Sequence, residues 1–285
     1  MLSDLILTAE PPNLLFQVFQ GLVMGLVQGI TEFLPISSTA HLIIFRDLLH
    51  WEANGSWSKA SIDAIQFGSV IAVLIYFWKD LTFILTGAWS AFQQKNWHRE
   101  EWRIFIGIVI GTIPALAGGL LLKKSGIKLE SPLLIAIISI VMAILLGLAE
   151  KIGTRKRNFN QLRSSDGMLV GLGQMIALLP GASRSGSTLT TGLLLGLDRE
   201  TAARFSFLLG FPTLTIATLA QAKDVIGESS MIIPLIVGTI STFVFSLLSI
   251  KWLLNFLKNQ SAWVFVWYRL GFAVFLLAAI SQKWL

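Results

Sequence analysis

Six apolar runs, each close to the length of a membrane-spanning helix, limit what this chain can fold into. They cover about 60–78, 103–122, 132–150, 200–221, 231–257 and 263–282. A hydrocarbon core of roughly 30 Å is crossed by about 20 apolar residues as a helix, and lipid offers no partner to an unpaired backbone group. Composition agrees: 13% of residues are charged, against roughly 25% in a soluble domain. The expectation is an all-α polytopic membrane protein forming one embedded domain over 1–285. An amphipathic stretch near 81–93 predicts a short helix in a loop.

Two further apolar regions, about 14–49 and 167–197, are broken at their centres. The first is broken by Pro35 and a Ser-Ser-Thr cluster, the second by Pro180, Gly181 and a Ser-Arg-Ser cluster. Irregular backbone at membrane depth survives only when buried in protein or lining a wet cavity. Both regions are therefore expected to be re-entrant helical hairpins.

The two regions suggest an internal repeat. Pro35-Ile36-Ser37-Ser38 can be laid on Pro180-Gly181-Ala182-Ser183, and Gly111-Thr112-Ile113 on Gly238-Thr239-Ile240. Each repeat, about 14–150 and 167–282, is then a hairpin followed by three spans. Three is odd, so the second repeat is inverted relative to the first. Inverted repeats with broken helices carry their sites at the repeat interface.

The net charge of +6 is explained by basic loops that stay on the cytoplasmic side, without nucleic acid as a partner. Lys151, Arg155, Lys156, Arg157 and Arg163 form one such loop, Lys79, Lys95, Arg99 and Arg103 another, with Lys251 and Lys258 on the same side. The first hairpin then opens outward and the second to the cytoplasm; Lys123, Lys124 and Lys128 fall outside and argue against this orientation. The N-terminal MLSDLILTAEPP has no basic start and too short an apolar run for a cleaved signal peptide. Trp51, Trp57, Trp78, Trp102, Trp252, Trp263 and Trp267 lie near the ends of apolar runs, as an interfacial belt would. The absence of cysteine excludes disulfides and thiolate chemistry.

Charge inside apolar sequence marks the chemistry. Glu32 and His41 are the only ionisable residues between Glu10 and Arg46, and Arg184 is the only charge between Asp166 and Asp198. A charge at mid-bilayer costs about 2.5–3.5 kcal/mol even on insertion scales. Gln28 and Glu32 are one helical turn apart and share a face. Ser38 and His41, three apart, can bring an imidazole to a hydroxyl, the arrangement of an activated nucleophile. Pro35 with Ser37 or Ser38 can equally be a helix cap, but a cap leaves Glu32 and His41 unexplained. Arg184 beside a helix start, with Ser183, Ser185, Ser187 and Thr188 around it, suits a phosphate. Carboxylate and phosphate oxygens together can hold Mg2+ or Ca2+, with Glu32 as the candidate ligand. The set is one for phosphoryl transfer.

QGITEFLPISSTAHL, LLPGASRSGSTLTTGLLLG and ARFSFLLGFP closely resemble the signature regions of the bacterial undecaprenyl-diphosphate phosphatases of the bacitracin-resistance type. The resemblance spans nearly the whole chain. It implies hydrolysis of a long-chain polyprenyl diphosphate in the bacterial plasma (inner) membrane, recycling the lipid carrier for wall polymers. It also implies divalent-cation dependence, two re-entrant hairpins in inverted repeats, and often a homodimer. Carried over, Glu32 is the essential acid, Ser38 the proposed nucleophile, His41 the proposed base or acid, and Arg184 the diphosphate clamp. Gln28, Ser37, Thr39, Ser183, Ser185 and Thr188 would line the phosphate pocket. The family's first motif opens with Glu or Gln; here it is Gln28, which adds no charge. Ala40 replaces a common Gly, and Arg204 stands where some members carry Glu.

The expected mechanism has Ser38 attacking the terminal phosphorus while His41 takes its proton. In a variant, Glu32 or His41 activates water and Ser38 only positions phosphate. A lipid-phosphate flippase or transporter built on the same inverted repeats is the alternative function.

Overall fold

A computed structural model describes residues 13–49, 51, 57–127, 129, 131–222 and 231–284. The N-terminal MLSDLILTAEPP and Lys128 lie outside these residues. The described chain is helical: α1 Leu14–Thr31, α2 Ser38–Leu48, α3 Lys59–Ile65, α4 Phe67–Tyr76, α5 Trp78–Gln93, α6 Glu100–Ser125, α7 Pro132–Ile152, α8 Ser164–Ile176, α9 Arg184–Leu194, α10 Arg199–Ala222, α11 Ile232–Asn259 and α12 Trp263–Ser281. Among these residues, seven helical stretches are long and apolar enough to cross a membrane. Six coincide with the expected spans, α3 and α4 together making the first; the seventh is α1, unbroken for 18 residues because its breaker, Pro35, comes after the helix. The amphipathic piece is α5, which packs its Gly87 against the Glu101 side chain of α6.

Both broken regions fold as helical hairpins that point in opposite directions. Trp51 stacks edge-on against Phe16 near the start of α1 and against Phe45 near the end of α2, so both arms return to one end. In the second hairpin Arg157 ties the arms at their open end, donating to Asp166 in α8 and to the carbonyl of Leu195 just after α9. That open end gathers the basic loops. Arg204 pairs with Asp80, Arg199 with Glu150 and Lys258 with Glu200, while Arg103 donates to the Asn160 carbonyl.

The packing is reciprocal. The first arm of each hairpin lies against the second long helix after the other hairpin's spans begin, α1 on α11 and α8 on α6. Gly21 and Gly25 abut the carbonyls of Pro234 and Gly238, and Gly167 and Gly171 abut Gly107 and Gly111. A methyl group at any of these four glycines would overlap backbone. Helices in lipid gain little from apolar burial, so close backbone approach at small residues is what holds such a seam. Ser241 Oγ adds a hydrogen bond to the Leu22 carbonyl and Ser69 one to Ser246.

Two expectations need correction. Trp51 and Trp57 do not face outward as a belt would: both are buried in a cluster with Met24, Leu42 and Ile65, whereas Trp78, Trp252, Trp263 and Trp267 remain exposed. The correspondence between hairpin tips is also shifted by one residue. Ser37 and Ser183 are the equivalent positions, both N-caps with positive φ, 75° and 71°. Gln28 then matches Gln174, Pro35 matches Gly181, and Ser38 matches Arg184. Matching proline to proline obscured this, because the second tip turns at Gly181 (φ 89°), a conformation only glycine adopts without strain.

Candidate active site

The two hairpin tips meet, and the contact is made by their charged residues. α1 runs straight into Glu32, whose backbone N–H still bonds Gln28 O and whose carboxylate is buried. Three donors converge on it. Gln28 Nε2 reaches Oε2 at 2.9 Å, Ser38 Oγ reaches the same oxygen at 2.6 Å, and Arg184 Nη2 reaches Oε1 at 2.8 Å. The Ser38 bond has the length of a hydroxyl donating to an ionised acceptor, about 2.5–2.7 Å. Arg184 and Ser38 each open the helix that follows their tip, so a hydroxyl, a guanidinium and two helix N-termini face one place.

Helix caps aim these groups. Ser37 Oγ accepts from Ala40 N and Ser183 Oγ from Gly186 N. Both serines hold positive φ, which costs a non-glycine residue roughly 1–3 kcal/mol and needs support from outside the tip. Arg269 of α12 supplies it. Arg269 is 1% exposed, and its guanidinium donates to Pro35 O at 2.9 Å and to Gly181 O at 2.6 Å, the equivalent carbonyls of the two tips. Nε adds a long bond to Ser139 O on α7. Among the described residues no carboxylate pairs with this cation. Ser185 Oγ adds a second clasp, donating to Leu34 O at 2.9 Å across the hairpins. Arg184 itself lies where a side chain of Gly210 would be; a methyl there would overlap Nη1.

The sequence-derived candidates separate into groups. Glu32, Ser38, Gln28 and Arg184 are brought together. Thr39, beside Ser38, is exposed. Ser37 and Ser183 act as caps, and Ser185 bonds to main-chain oxygens. Thr188 is fully buried, and its hydroxyl bonds Arg184 O and the Ser206 hydroxyl of α10.

His41 is not the partner of Ser38. Its Nδ1 bonds Ser37 O at 2.7 Å, so that nitrogen carries the proton, and in the neutral ring Nε2 accepts from the Tyr268 hydroxyl at 2.7 Å. The ring stacks on Phe272 at 4.3 Å. Helical spacing correctly put the imidazole one turn past the hydroxyl, but the backbone carbonyl one turn back captured it. Glu32 occupies the position expected of the base.

Arg269, Gly210 and Tyr268 escaped the sequence reading. Arg269 follows Trp267 and Tyr268 about two turns into its span, within the reach over which a long arginine side chain can snorkel to water. The one available signal was its position well inside α12 with no acid nearby.

Fold and site together define a polytopic all-α membrane protein with a buried carboxylate, hydroxyl and guanidinium shared between two hairpins. The family described as bacitracin resistance protein BacA matches residues 21–275, and the chain belongs to that family. Among relatives named undecaprenyl-diphosphatase, that of Thermosynechococcus vestitus is 61% identical over 262 residues, covering 92% of this chain and 95% of the relative. Those of Trichormus variabilis and Synechocystis are 52% and 50% identical, each covering 93% of this chain and 84% and 83% of the relative.

Proposed function

We propose that this protein hydrolyses undecaprenyl diphosphate to undecaprenyl phosphate and inorganic phosphate in the plasma membrane, recycling the lipid carrier and thereby supporting bacitracin resistance. The observation that carries this is the convergence on Glu32 of Ser38 from one hairpin and Arg184 from the other. Family membership and relatives named for a diphosphatase favour hydrolysis over transport. The exchange of packing partners between the hairpins supports two inverted repeats, 14–150 and 167–282, within one domain.

The geometry suits the following course. A terminal phosphate enters beside Ser38 and Arg184, and a guanidinium N–H binds its equatorial oxygens. Ser38 passes its proton to Glu32 as Oγ bonds the terminal phosphorus and the bond to the bridging oxygen breaks. Polyprenyl phosphate leaves. Water then attacks the phosphoserine, the Ser38 oxygen regains a proton from Glu32, and inorganic phosphate is released. Direct attack by water activated by Glu32 uses the same residues. Trapping phosphate on Ser38 separates them: a Ser38→Ala variant with near-normal turnover contradicts the covalent course.

Gln28 Oε1 is buried beside Glu32 and accepts no hydrogen bond among the described residues. One carboxylate, one amide oxygen and substrate phosphate oxygens are the hard ligands that Mg2+ or Ca2+ takes, so these residues fit a divalent cation. When bound, it would neutralise phosphate charge. The homodimer that the resemblance implies is tested by mass in detergent. Phosphate release from undecaprenyl diphosphate by purified protein in detergent, with and without a chelator, tests the function, since no transport can occur there. Release lost in Glu32→Ala and Arg184→Ala is expected; no release with any divalent cation contradicts it.

A further inference from the structure

An open-sided groove of about 370 Å3 runs along the lipid-facing side of the first hairpin, between α1, α2 and α12. Leu26, Ile30, Ile44, Phe45 and Phe275 are among its walls, and every lining residue is apolar except Thr31 and His41. Those two mark its inner end. Thr31 directly precedes Glu32, and His41 lies one turn beyond Ser38. The Thr31 hydroxyl is turned onto Val27 O, and the two His41 ring nitrogens are held by Ser37 O and the Tyr268 hydroxyl, so neither offers a free donor along the wall. From His41 the groove follows α2 outward to Leu48, about 10 Å of helix. The inner end of the groove thus lies within one helical turn of Glu32 on α1 and of Ser38 on α2.

We infer that this groove seats the proximal part of the substrate's isoprenoid chain, with the His41–Tyr268–Phe272 stack as the wall that turns the chain out of the diphosphate site. The inference rests on the diphosphatase reading and deepens it. Position selects the occupant: a bilayer acyl chain can cover the groove anywhere, but a chain attached to a diphosphate bound beside Ser38 starts one helical turn from its inner end. Lipid is as apolar as the groove, so seating the chain there adds little affinity. Its effect is to orient the terminal phosphate against Ser38, where small misplacements are costly to rate.

The test compares two substrates in detergent. Undecaprenyl diphosphate has a chain to seat; dimethylallyl diphosphate, a single isoprene unit, does not reach beyond the inner end. Ile30→Trp, on the exposed rim, narrows the groove, and Ile30→Phe does so more mildly; Ile144→Trp, lipid-facing on α7, is the control. The expected result is a fall of about tenfold or more in kcat/KM for the long substrate with Ile30→Trp, a smaller fall with Ile30→Phe, and unchanged turnover of the short one. Retained short-chain turnover also shows that the variant is folded. Equal change for both substrates in both Ile30 variants, or no change for the long one, overturns the inference. A prenyl diphosphate carrying a diazirine in its proximal chain gives a readout that does not need turnover. Labelling concentrated on Leu26, Ile30 and Phe275, and displaced by undecaprenyl diphosphate but not by added phospholipid, supports the groove even if no phosphate is released; labelling spread over all lipid-facing helices overturns it.

Discussion

The two hairpins have one backbone and two chemistries. Each has a glycine-seamed first arm, a glutamine near its end, a tip capped by a serine at positive φ, and a second arm of 11 residues. At the tips the side chains diverge. Glu32 corresponds to Leu178, and Ser38 to Arg184. A repeated backbone therefore delivers two helix starts to one place, and the difference at matching positions puts a hydroxyl on one start and a guanidinium on the other. Neither hairpin holds a complete site. Arg269 makes the comparison physical, because a single buried cation grips the equivalent carbonyl of each tip.

The largest effect is expected from removing what the hairpins contribute unequally. Arg184→Ala and Glu32→Ala should each lower phosphate release by roughly 10²–10³-fold or more, the scale for deleting a group that stabilises transition-state charge. Glu32→Ala also strands the Arg184 guanidinium, whose side chain is 14% exposed, at a stability cost of about 3–5 kcal/mol read by thermal unfolding in detergent. Next is what they share. Arg269→Met should release both strained tips and abolish most activity. Arg269→Lys, which keeps charge but loses the planar fork, should recover only part of it; full recovery would mean that charge alone matters.

Smaller effects sharpen the contrast. Gly210→Ala should push Arg184 off Glu32 and lower kcat/KM by about 10–100-fold, while the melting temperature holds, since alanine favours the helix by about 1 kcal/mol. His41→Ala should cost about tenfold, below the 10²–10⁴ of a general base, because its nitrogens are committed to Ser37 and Tyr268. Gly25→Leu and Gly171→Leu should destabilise to similar extents, about 1–3 kcal/mol each by overpacking, as equivalent seams require; a large inequality would break the symmetry of the two arms.

Much of this was legible in the sequence because lipid makes charge conspicuous. Glu32, His41 and Arg184 stood alone in apolar runs, and the breakers Pro35 and Gly181 located both tips. Partnership was harder to see. Spacing set His41 near Ser38, but a carbonyl and a tyrosine 227 residues away took its nitrogens. Glycine in an apolar helix says nothing about direction, so Gly210 gave no sign that it makes room for a guanidinium. Arg269, preceded by two aromatics, has no sequence partner that marks it, because what it binds are three main-chain carbonyls.

The central claim, that one site is divided between two hairpins, is tested most directly by a double-mutant cycle. Phosphate release from undecaprenyl diphosphate is measured for the wild type, Glu32→Gln, Arg184→Lys and the double variant. Residues acting as a unit are grossly non-additive, so the double variant should be scarcely slower than the worse single one. Losses that add within about 0.5 kcal/mol, as for independent sites, would contradict the claim.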